Sequence, residues 1–295
     1  MNADIGAVAS APLISGDSNP GKISFTPGGV GRNIAHNLAL MGADVRLLSA
    51  CGDDANGKML LDSCAAAGIN TENVLVVPDM PTSCYLYIAG PSGDMVLAVN
   101  DMDICERISP AYLMRHKDLI NSAAAVVMDA NLSPETIGWL AENCTVPIYC
   151  DPVSVNKASK LLPYLGSIHT LKPNRIEAAL LSGIEIDTTE DMRAAAESLL
   201  EKGVKRVFIS LSDKGVFVAS EGESRLLPCV PGKTVNTTGC GDAFTAALVY
   251  AGINSLSPIR SARAGLKAAA LTAASNKSVA PSISGSELLS NTDES

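Results

Sequence analysis

Aromatic side chains are scarce in this chain of 295 residues: one Trp, four Phe and six Tyr make up 4% of it. Any core must therefore be filled by Ala, Val, Leu and Ile, and a hydrophobic content of 47% over this length can bury a substantial one. Basic charge is also short. Lys and Arg total 22 against 31 Asp and Glu, a net charge of −9. That balance argues against a nucleic-acid surface, which calls for a basic patch. It leaves a nucleotide ligand open, because such a ligand needs only local donors. The eight cysteines form no C-x-x-C pair, and no His stands at zinc-finger spacing. Scattered in this way they read as reduced, buried, small hydrophobes, as a cytoplasmic protein would carry. No run of ~18 apolar residues occurs, so no membrane span is expected. No signal-peptide pattern, internal repeat or low-complexity segment stands out.

Two phosphate-binding patterns are missing as well. Gly16-Asp-Ser-Asn-Pro-Gly21-Lys22-Ile23 nearly spells a Walker A loop, but Ile23 stands where Ser or Thr should hold Mg²⁺. The segment also runs toward a Pro-Gly-Gly turn and not into a helix. No G-x-G-x-x-G follows a strand-like run, so a Rossmann site is unsupported.

What is present begins with Asn236-Thr-Thr-Gly-Cys-Gly-Asp-Ala-Phe244. Gly239 and Gly241 flank Cys240, Asp242 follows, and an apolar run continues from there. This reads as a loop opening a helix. Amides at a helix N-terminus lack internal partners and attract anions, and glycines let an anion come close. Asp242 could cap the helix, or it could take a proton from a hydroxyl attacking a phosphorus held over those amides. Cys240 is either a small residue that fits or a thiol made acidic by nearby amides.

A second Gly-rich turn, Thr26-Pro-Gly-Gly-Val-Gly-Arg-Asn33, also opens a helix. Gly28 and Gly29 allow a polar ligand to reach the backbone, and Asn33 offers a donor and an acceptor. Asn33 and Asn37 fall one helical turn apart, while Ile34, Leu38 and Met41 form the apolar stripe. Asn174 and Glu177, in Lys172-Pro-Asn-Arg-Ile-Glu177, suit a capping box as well as a ligand site. Asp4 could be a turn residue or a sugar-binding carboxylate. His36, His116 and His169 share no spacing and read as structural or exposed, not catalytic.

Along the chain, 44–50 reads as a strand and 55–67 as a helix. The runs 84–89 and 95–99 flank a Gly-Pro-Ser-Gly turn, a hairpin pattern. Apolar runs at 124–128, 147–150 and 206–211 alternate with helical segments near 133–143, 155–163, 174–182 and 189–202. That alternation implies a parallel sheet covered by helices. Helices over about 240–252 and 256–275 follow, and 284–295 reads as a frayed polar tail.

Together the loops resemble the two signatures of the ribokinase-like carbohydrate and nucleoside kinases, the PfkB family, with Asn174-x-x-Glu177 matching its third element. The likeness spans essentially the whole chain. The flanks, among them Asn2-Ala-Asp4, Val99-Asn-Asp-Met102, Asp151-Pro-Val-Ser154 and His169-Thr-Leu-Lys-Pro-Asn174, resemble the pseudouridine-phosphorylating branch.

The resemblance implies a single ribokinase-like α/β domain over 1–295. It would be a three-layer sandwich with a mainly parallel central sheet and a small β-sheet lid, formed by about 5–25 and 82–100. It implies ATP and Mg²⁺, and transfer to the 5′-hydroxyl of a ribosyl substrate, pseudouridine above others. Alternatives are another sugar or purine nucleoside kinase, or a silent nucleoside sensor. Asp242 would be the base, with the amides of Gly239, Cys240 and Gly241 around the phosphoryl group. Asp4, Gly28, Gly29, Asn33 and Asn131 would hold the substrate, and Asn174, Ser210, Ser212, Gly215 and Asn276 the nucleotide. Glu177 would reach Mg²⁺ through water.

The family often has Gly where Ser212 stands and Asp where Asn236 stands; the second change puts K⁺ activation in question. The acceptor for the extra ring N–H of pseudouridine is expected among Thr82, Ser83, Asn100 and Asp101. A homodimer through the lid is implied, with no nucleic-acid or membrane partner. Family members carry an apolar strand ahead of the Asn-x-Asp element, and here Met1 lies almost on it. Either an upstream extension or a sheet short of one strand is therefore expected.

Overall fold

Alternation of short polar and apolar residues gives strand β1 (Asn2–Ala9), which pairs with antiparallel β2 (Gly21–Gly28). The computed structural model describes residues 1–290. Its contacts divide them into two units: Met1–Arg32 with Arg46–Ile108, and Asn33–Val45 with the chain from Ser109 onward.

In the first unit β3 (Ala50–Gly52) pairs in parallel with β4 (Leu75–Val77), and α2 (Ala55–Ala66) lies between them in sequence. Asp54 caps α2 by accepting from the Gly57 amide at 2.7 Å. The strand expected at 44–50 is interrupted. Residues 46–49 make single contacts, such as Leu47 N–H to the Asn70 carbonyl, and a ladder begins only at Ala50.

Strands β5 (Cys84–Ala89) and β6 (Met95–Asp101) form the hairpin, with a register shift at Ile88/Ala89. They complete a four-stranded sheet in the order β2-β1-β5-β6. Because side chains alternate across a strand, the registers assign each residue to a face. One face carries the cross-strand rows Phe25–Ile5–Leu86–Val99 and Ile23–Ala7–Ile88–Leu97. The other carries Thr26–Asp4–Tyr85–Asn100 and Ser24–Gly6–Tyr87–Ala98.

Helix α1 (Val30–Leu40) runs in sequence from the first unit into the second. The second unit continues with α3 (Pro110–Arg115), α4 (Lys117–Ser122), β7 (Val126–Asp129), α5 (Pro134–Asn143), β8 (Ile148–Asp151) and α6 (Val155–Ala158). Next come β9 (Thr170–Leu171), α7 (Arg175–Ser182), α8 (Thr189–Glu201), β10 (Arg206–Ser210), β11 (Val216–Ser220) and β12 (Glu223–Leu227). The chain then forms α9 (Cys240–Ile253), α10 (Pro258–Ala273) and α11 (Gly285–Ser290).

The sheet order is β12-β11-β10-β9-β8-β7; β7 to β10 are parallel, and β11 and β12 add an antiparallel edge. Helical readings at 133–143, 174–182 and 189–202 match α5, α7 and α8. The segment 155–163 becomes a short α-helix followed by a 3₁₀ stretch, Ser159–Ser167, with Pro163 inside it, which removes an α-type donor. The tail differs from expectation: 285–290 is helical, Leu288 is buried, and 291–295 lie outside the described residues.

The core of this unit shows how few aromatics suffice. Phe208, Val216, Val218 and Leu227 of the sheet meet Phe244, Leu248, Ile259, Ala262 and Leu266 of α9 and α10. Each Val, Leu, Ile or Phe side chain among them contributes roughly 1.5–3 kcal/mol when fully buried. Gly265 leaves room for the Phe244 ring, which a Cβ there would meet at 2.7 Å.

Candidate functional site

Parallel strands end together, and their carboxyl ends are where open α/β sheets place ligands. Asp129 and Asp151 close β7 and β8 in paired register, and Lys172 follows the last residue of β9. The Lys172 ammonium lies 2.9 Å from Asp151 Oδ2, and both side chains are buried. Burial works against the Lys172 charge. Its pairing with Asp151, helped by Asp242 and Glu177, outweighs this and holds its pKa above the usual lysine value. Asp151 also accepts from Val153 N–H at 2.9 Å and from Thr245 Oγ1 at 3.2 Å. Val153 has φ +67°, which costs a β-branched residue about 1–3 kcal/mol.

Helix α9 begins beside this pair. Its N-cap is Gly239 at φ +84°, left-handed, and a Cβ there would strike the Ser278 carbonyl at 1.9 Å. Only glycine permits both the turn and this approach. A Cβ on Gly241 would meet the Lys172 ammonium at 3.2 Å, so amides and cation share one small space. Asp242 stands in the first turn of α9, and Asn33 Nδ2 donates to its Oδ2 at 2.8 Å. Burial, reinforced by the Asp151 carboxylate, raises the Asp242 pKa to about 7; the Asn33 bond and Lys172 pull in the other direction. The result is a carboxyl poised to exchange a proton near neutral pH.

Asn174 forms the reciprocal capping box of α7. Its Oδ1 accepts from Ile176 N–H and Glu177 N–H, each at 2.9 Å, and Glu177 Oε2 accepts from Asn174 N–H at 2.8 Å. Glu177 is buried, and burial raises its pKa. Asn131 follows β7; its amide donates to Asp129 Oδ1, and Lys157 donates to its carboxamide oxygen. Ser210 N–H donates to the Pro173 carbonyl at 2.9 Å. Ser212 has φ +54°, which explains why glycine suits the position, and Gly215 has φ +102°. Asn276 is exposed in the segment after α10.

In the first unit Asp4 and Gly28 sit together. A Cβ on Gly28 would strike the Asp4 carboxylate, and Gly29 adopts φ +97°. Asn2 Nδ2 donates to Asp4. Burial raises the Asp4 pKa to about 6 despite Asn2 and Arg32.

One alternative is decided and two expectations change. Cys240 is the small residue that fits: burial and the neighbouring Asp242 push its thiol pKa up. Thr82 and Ser83 are buried and engaged. Thr82 Oγ1 donates to Asp54 Oδ1 at 2.6 Å, and Ser83 Oγ donates to the Met1 carbonyl at 2.7 Å. Asp101 pairs in register with Cys84, in the row opposite to the face that bears Asp4, which leaves Asn100. Sequence reasoning quoted Asp151 and Lys172 without assigning them roles. The position of Asp151 directly after the apolar run 147–150 was the available signal; Lys172 follows a strand of only two residues, Thr170–Leu171, too short to show as a run.

The arrangement suits a phosphorylated ligand. A helix opening with no side-chain cap, two glycines that a Cβ would spoil, and a buried ammonium can together cradle an anion beside a carboxylate that burial makes more basic. Among the described residues no group of three or more His, Cys, Asp or Glu could hold a metal ion alone. Glu177, held in its capping box, offers a single buried carboxylate, which fits Mg²⁺ bound chiefly through phosphates and water. Among the described residues no helix is long and apolar enough to cross a membrane.

A mainly parallel sheet with an amide cradle and a carboxylate at its strand ends defines an α/β phosphotransferase acting on an alcohol. Residues 5–284 match the pfkB family carbohydrate kinase profile, and the chain belongs to that family. It is 42% identical over 249 residues to the pseudouridine kinase of Escherichia coli K12, covering 84% of this chain and 80% of that one. It is 39% identical over 294 residues to an uncharacterized sugar kinase of the same strain, covering 98% and 81%. Its fold is that of Arabidopsis thaliana ribokinase complexed with ribose and ATP, with TM-score 0.88, 23% identity and coverage of 100% and 96%. The fold is thus ribokinase-like, and the enzyme is a sugar or nucleoside kinase.

Proposed function

We propose that this kinase transfers the γ-phosphoryl group of Mg·ATP to the 5′-hydroxyl of a ribosyl substrate, with pseudouridine as the preferred acceptor. The observation that carries the chemistry is Asp242, raised to about 7 at the opening of α9 and set beside the glycine amides and Lys172. Asp242 takes the hydroxyl proton as the 5′ oxygen bonds to phosphorus. The bond to the β–γ bridging oxygen breaks and ADP leaves. The amides of Gly239, Cys240 and Gly241, with Lys172, stabilise charge on the transferring group. Bound Mg²⁺ would neutralise phosphate charge, with Glu177 reaching it through water.

Asp4, Gly28, Gly29, Asn33 and Asn131 hold the ribose in this reading, and Asn33 also orients Asp242. Asn174, Ser210, Ser212, Gly215 and Asn276 line the nucleotide. Asn236 accepts from Thr238 N–H at 3.0 Å and is neutral where the family often has a carboxylate, so we expect weak K⁺ activation. The choice of pseudouridine rests on the 42% identity to a pseudouridine kinase. A sugar acceptor is the second reading, favoured by the uncharacterized sugar kinase that matches 98% of the chain.

A cytoplasmic homodimer joined through the four-stranded sheet belongs to the same proposal. Its support is the apolar face, where Ile23 is 68%, Phe25 60%, Leu97 55% and Val99 59% exposed. An apolar patch of this kind marks an interaction surface.

A coupled ADP-release screen over pseudouridine, uridine, adenosine, inosine and ribose tests the substrate reading. Pseudouridine should give the highest kcat/KM; a clear preference for ribose or a purine nucleoside would replace it.

A further inference from the structure

The face of the four-stranded sheet that carries Asp4 is unlike its apolar reverse. Its rows contain two tyrosines side by side on β5, one opposite a short carboxylate side chain and the other opposite a residue with no side chain. Tyr85 pairs with Asp4 and Tyr87 with Gly6. A Cβ on Gly6 would lie 2.4 Å from the Tyr87 hydroxyl and 3.0 Å from its ring carbon Cε1, so the ring lies over the bare Gly6 backbone. Gly28 does the same for the Asp4 carboxylate. The two ring centroids are 6.2 Å apart, tilted by 38°, and Tyr85 Oη donates to Met95 Sδ at 3.4 Å. Both tyrosines are only half-buried, and Asn100, next to Tyr85 in register, is exposed.

With six Tyr in the chain, two on one strand face beside a carboxylate call for an explanation. They do not fill a core: the residues beside them in the rows are Gly6, Ser24, Thr26, Ala98 and Asn100. A flat, half-exposed aromatic pair beside a hydrogen-bonding carboxylate suits a ligand with a flat ring attached to a polyol. Base–aromatic stacking contributes about 1–3 kcal/mol per base.

We infer that this face is the nucleobase platform of the kinase, with Tyr87 and Tyr85 stacking on the base and Asn100 reading its polar edge. The inference rests on the nucleoside reading above and adds how the base is held. Thr82 and Ser83 are engaged elsewhere, and Asn100 supplies a carboxamide oxygen able to accept the extra ring N–H of a carbon-linked base.

The test is calorimetric titration of the full-length protein with pseudouridine, with uridine and with ribose, each separately, in wild type and in Tyr87→Leu, Tyr87→Phe and Asn100→Ala. Melting temperature is checked for each variant. The expected result is that Tyr87→Leu weakens pseudouridine binding about tenfold or more and leaves ribose binding within about twofold. Tyr87→Phe should keep wild-type affinity for the nucleoside, because its ring still stacks. Asn100→Ala should lower affinity for pseudouridine more than for uridine. Equal losses for nucleoside and ribose in Tyr87→Leu, or no loss, would overturn the platform while leaving the kinase a nucleoside kinase. A wild-type protein that binds ribose but no nucleoside would overturn the nucleoside reading itself, and the platform with it.

Discussion

Asn33 Nδ2 donates to Asp242 Oδ2 at 2.8 Å, joining two glycine-rich motifs 209 positions apart in the chain. The bond holds one carboxylate oxygen in place and leaves the other to receive a proton. It also favours the charged form, against burial and Asp151, which together raise the pKa to about 7.

A base of that pKa works only when deprotonated. We therefore predict that kcat/KM falls as pH drops below about 7. Asp242→Asn should lose ~10²–10⁴-fold in turnover and show no such limb in its residual rate. A pH–rate profile of both proteins checks this; near-normal turnover in the variant removes Asp242 from the role.

The same shift has a stability consequence. The pKa of Asp242 rises on folding from 3.8 to about 7, so the folded state binds this proton more tightly than the unfolded chain. Its contribution to stability is present at low pH and is lost as pH rises through about 7. Asp242→Asn should then raise Tm at pH 8 and change it little near pH 4. Thermal melts of the two proteins across that range read the difference.

Lys172 and Asp151 form a buried pair whose partners cannot be removed singly. Lys172→Met should cost about 3–5 kcal/mol, because Asp151 is left charged and unpaired. Adding Asp151→Asn should recover much of that loss in denaturant titrations. Additive losses would show that the two residues act independently.

These residues also mark how far the sequence could be read. The glycine loops, the capping box of Asn174 and Glu177, and the alternation of strands and helices were legible, because each is a local pattern with a local cause. The antiparallel edge of β11 and β12 was missed, although Glu221-Gly222 between two apolar runs is a turn signal, and Gly222 indeed has φ +75°. The engagement of Thr82 by Asp54 and of Asn33 by Asp242 could not be read, since neither partner is near in sequence. Of the two readings of Cys240, the small residue that fits holds, because burial and a neighbouring carboxylate outweigh the helix amides.

If the apolar sheet face is the dimer contact, a charge placed on it should separate the subunits. Phe25→Asp with Leu97→Asp should shift the molar mass from dimer to monomer in light scattering, with little change in far-UV circular dichroism. An unchanged mass, or a monomeric wild type, would place the contact elsewhere or remove it.

The central claim is phosphorylation of pseudouridine at its 5′-hydroxyl. The most direct measurement incubates the purified protein with Mg·ATP and an equimolar mixture of pseudouridine and uridine, and follows both products by phosphorus NMR. The account predicts a single 5′-monophosphate at first, that of pseudouridine, with a preference of roughly tenfold or more over uridine from one unpaired buried polar group. Equal rates for the two nucleosides, or phosphate on any other hydroxyl, would contradict it.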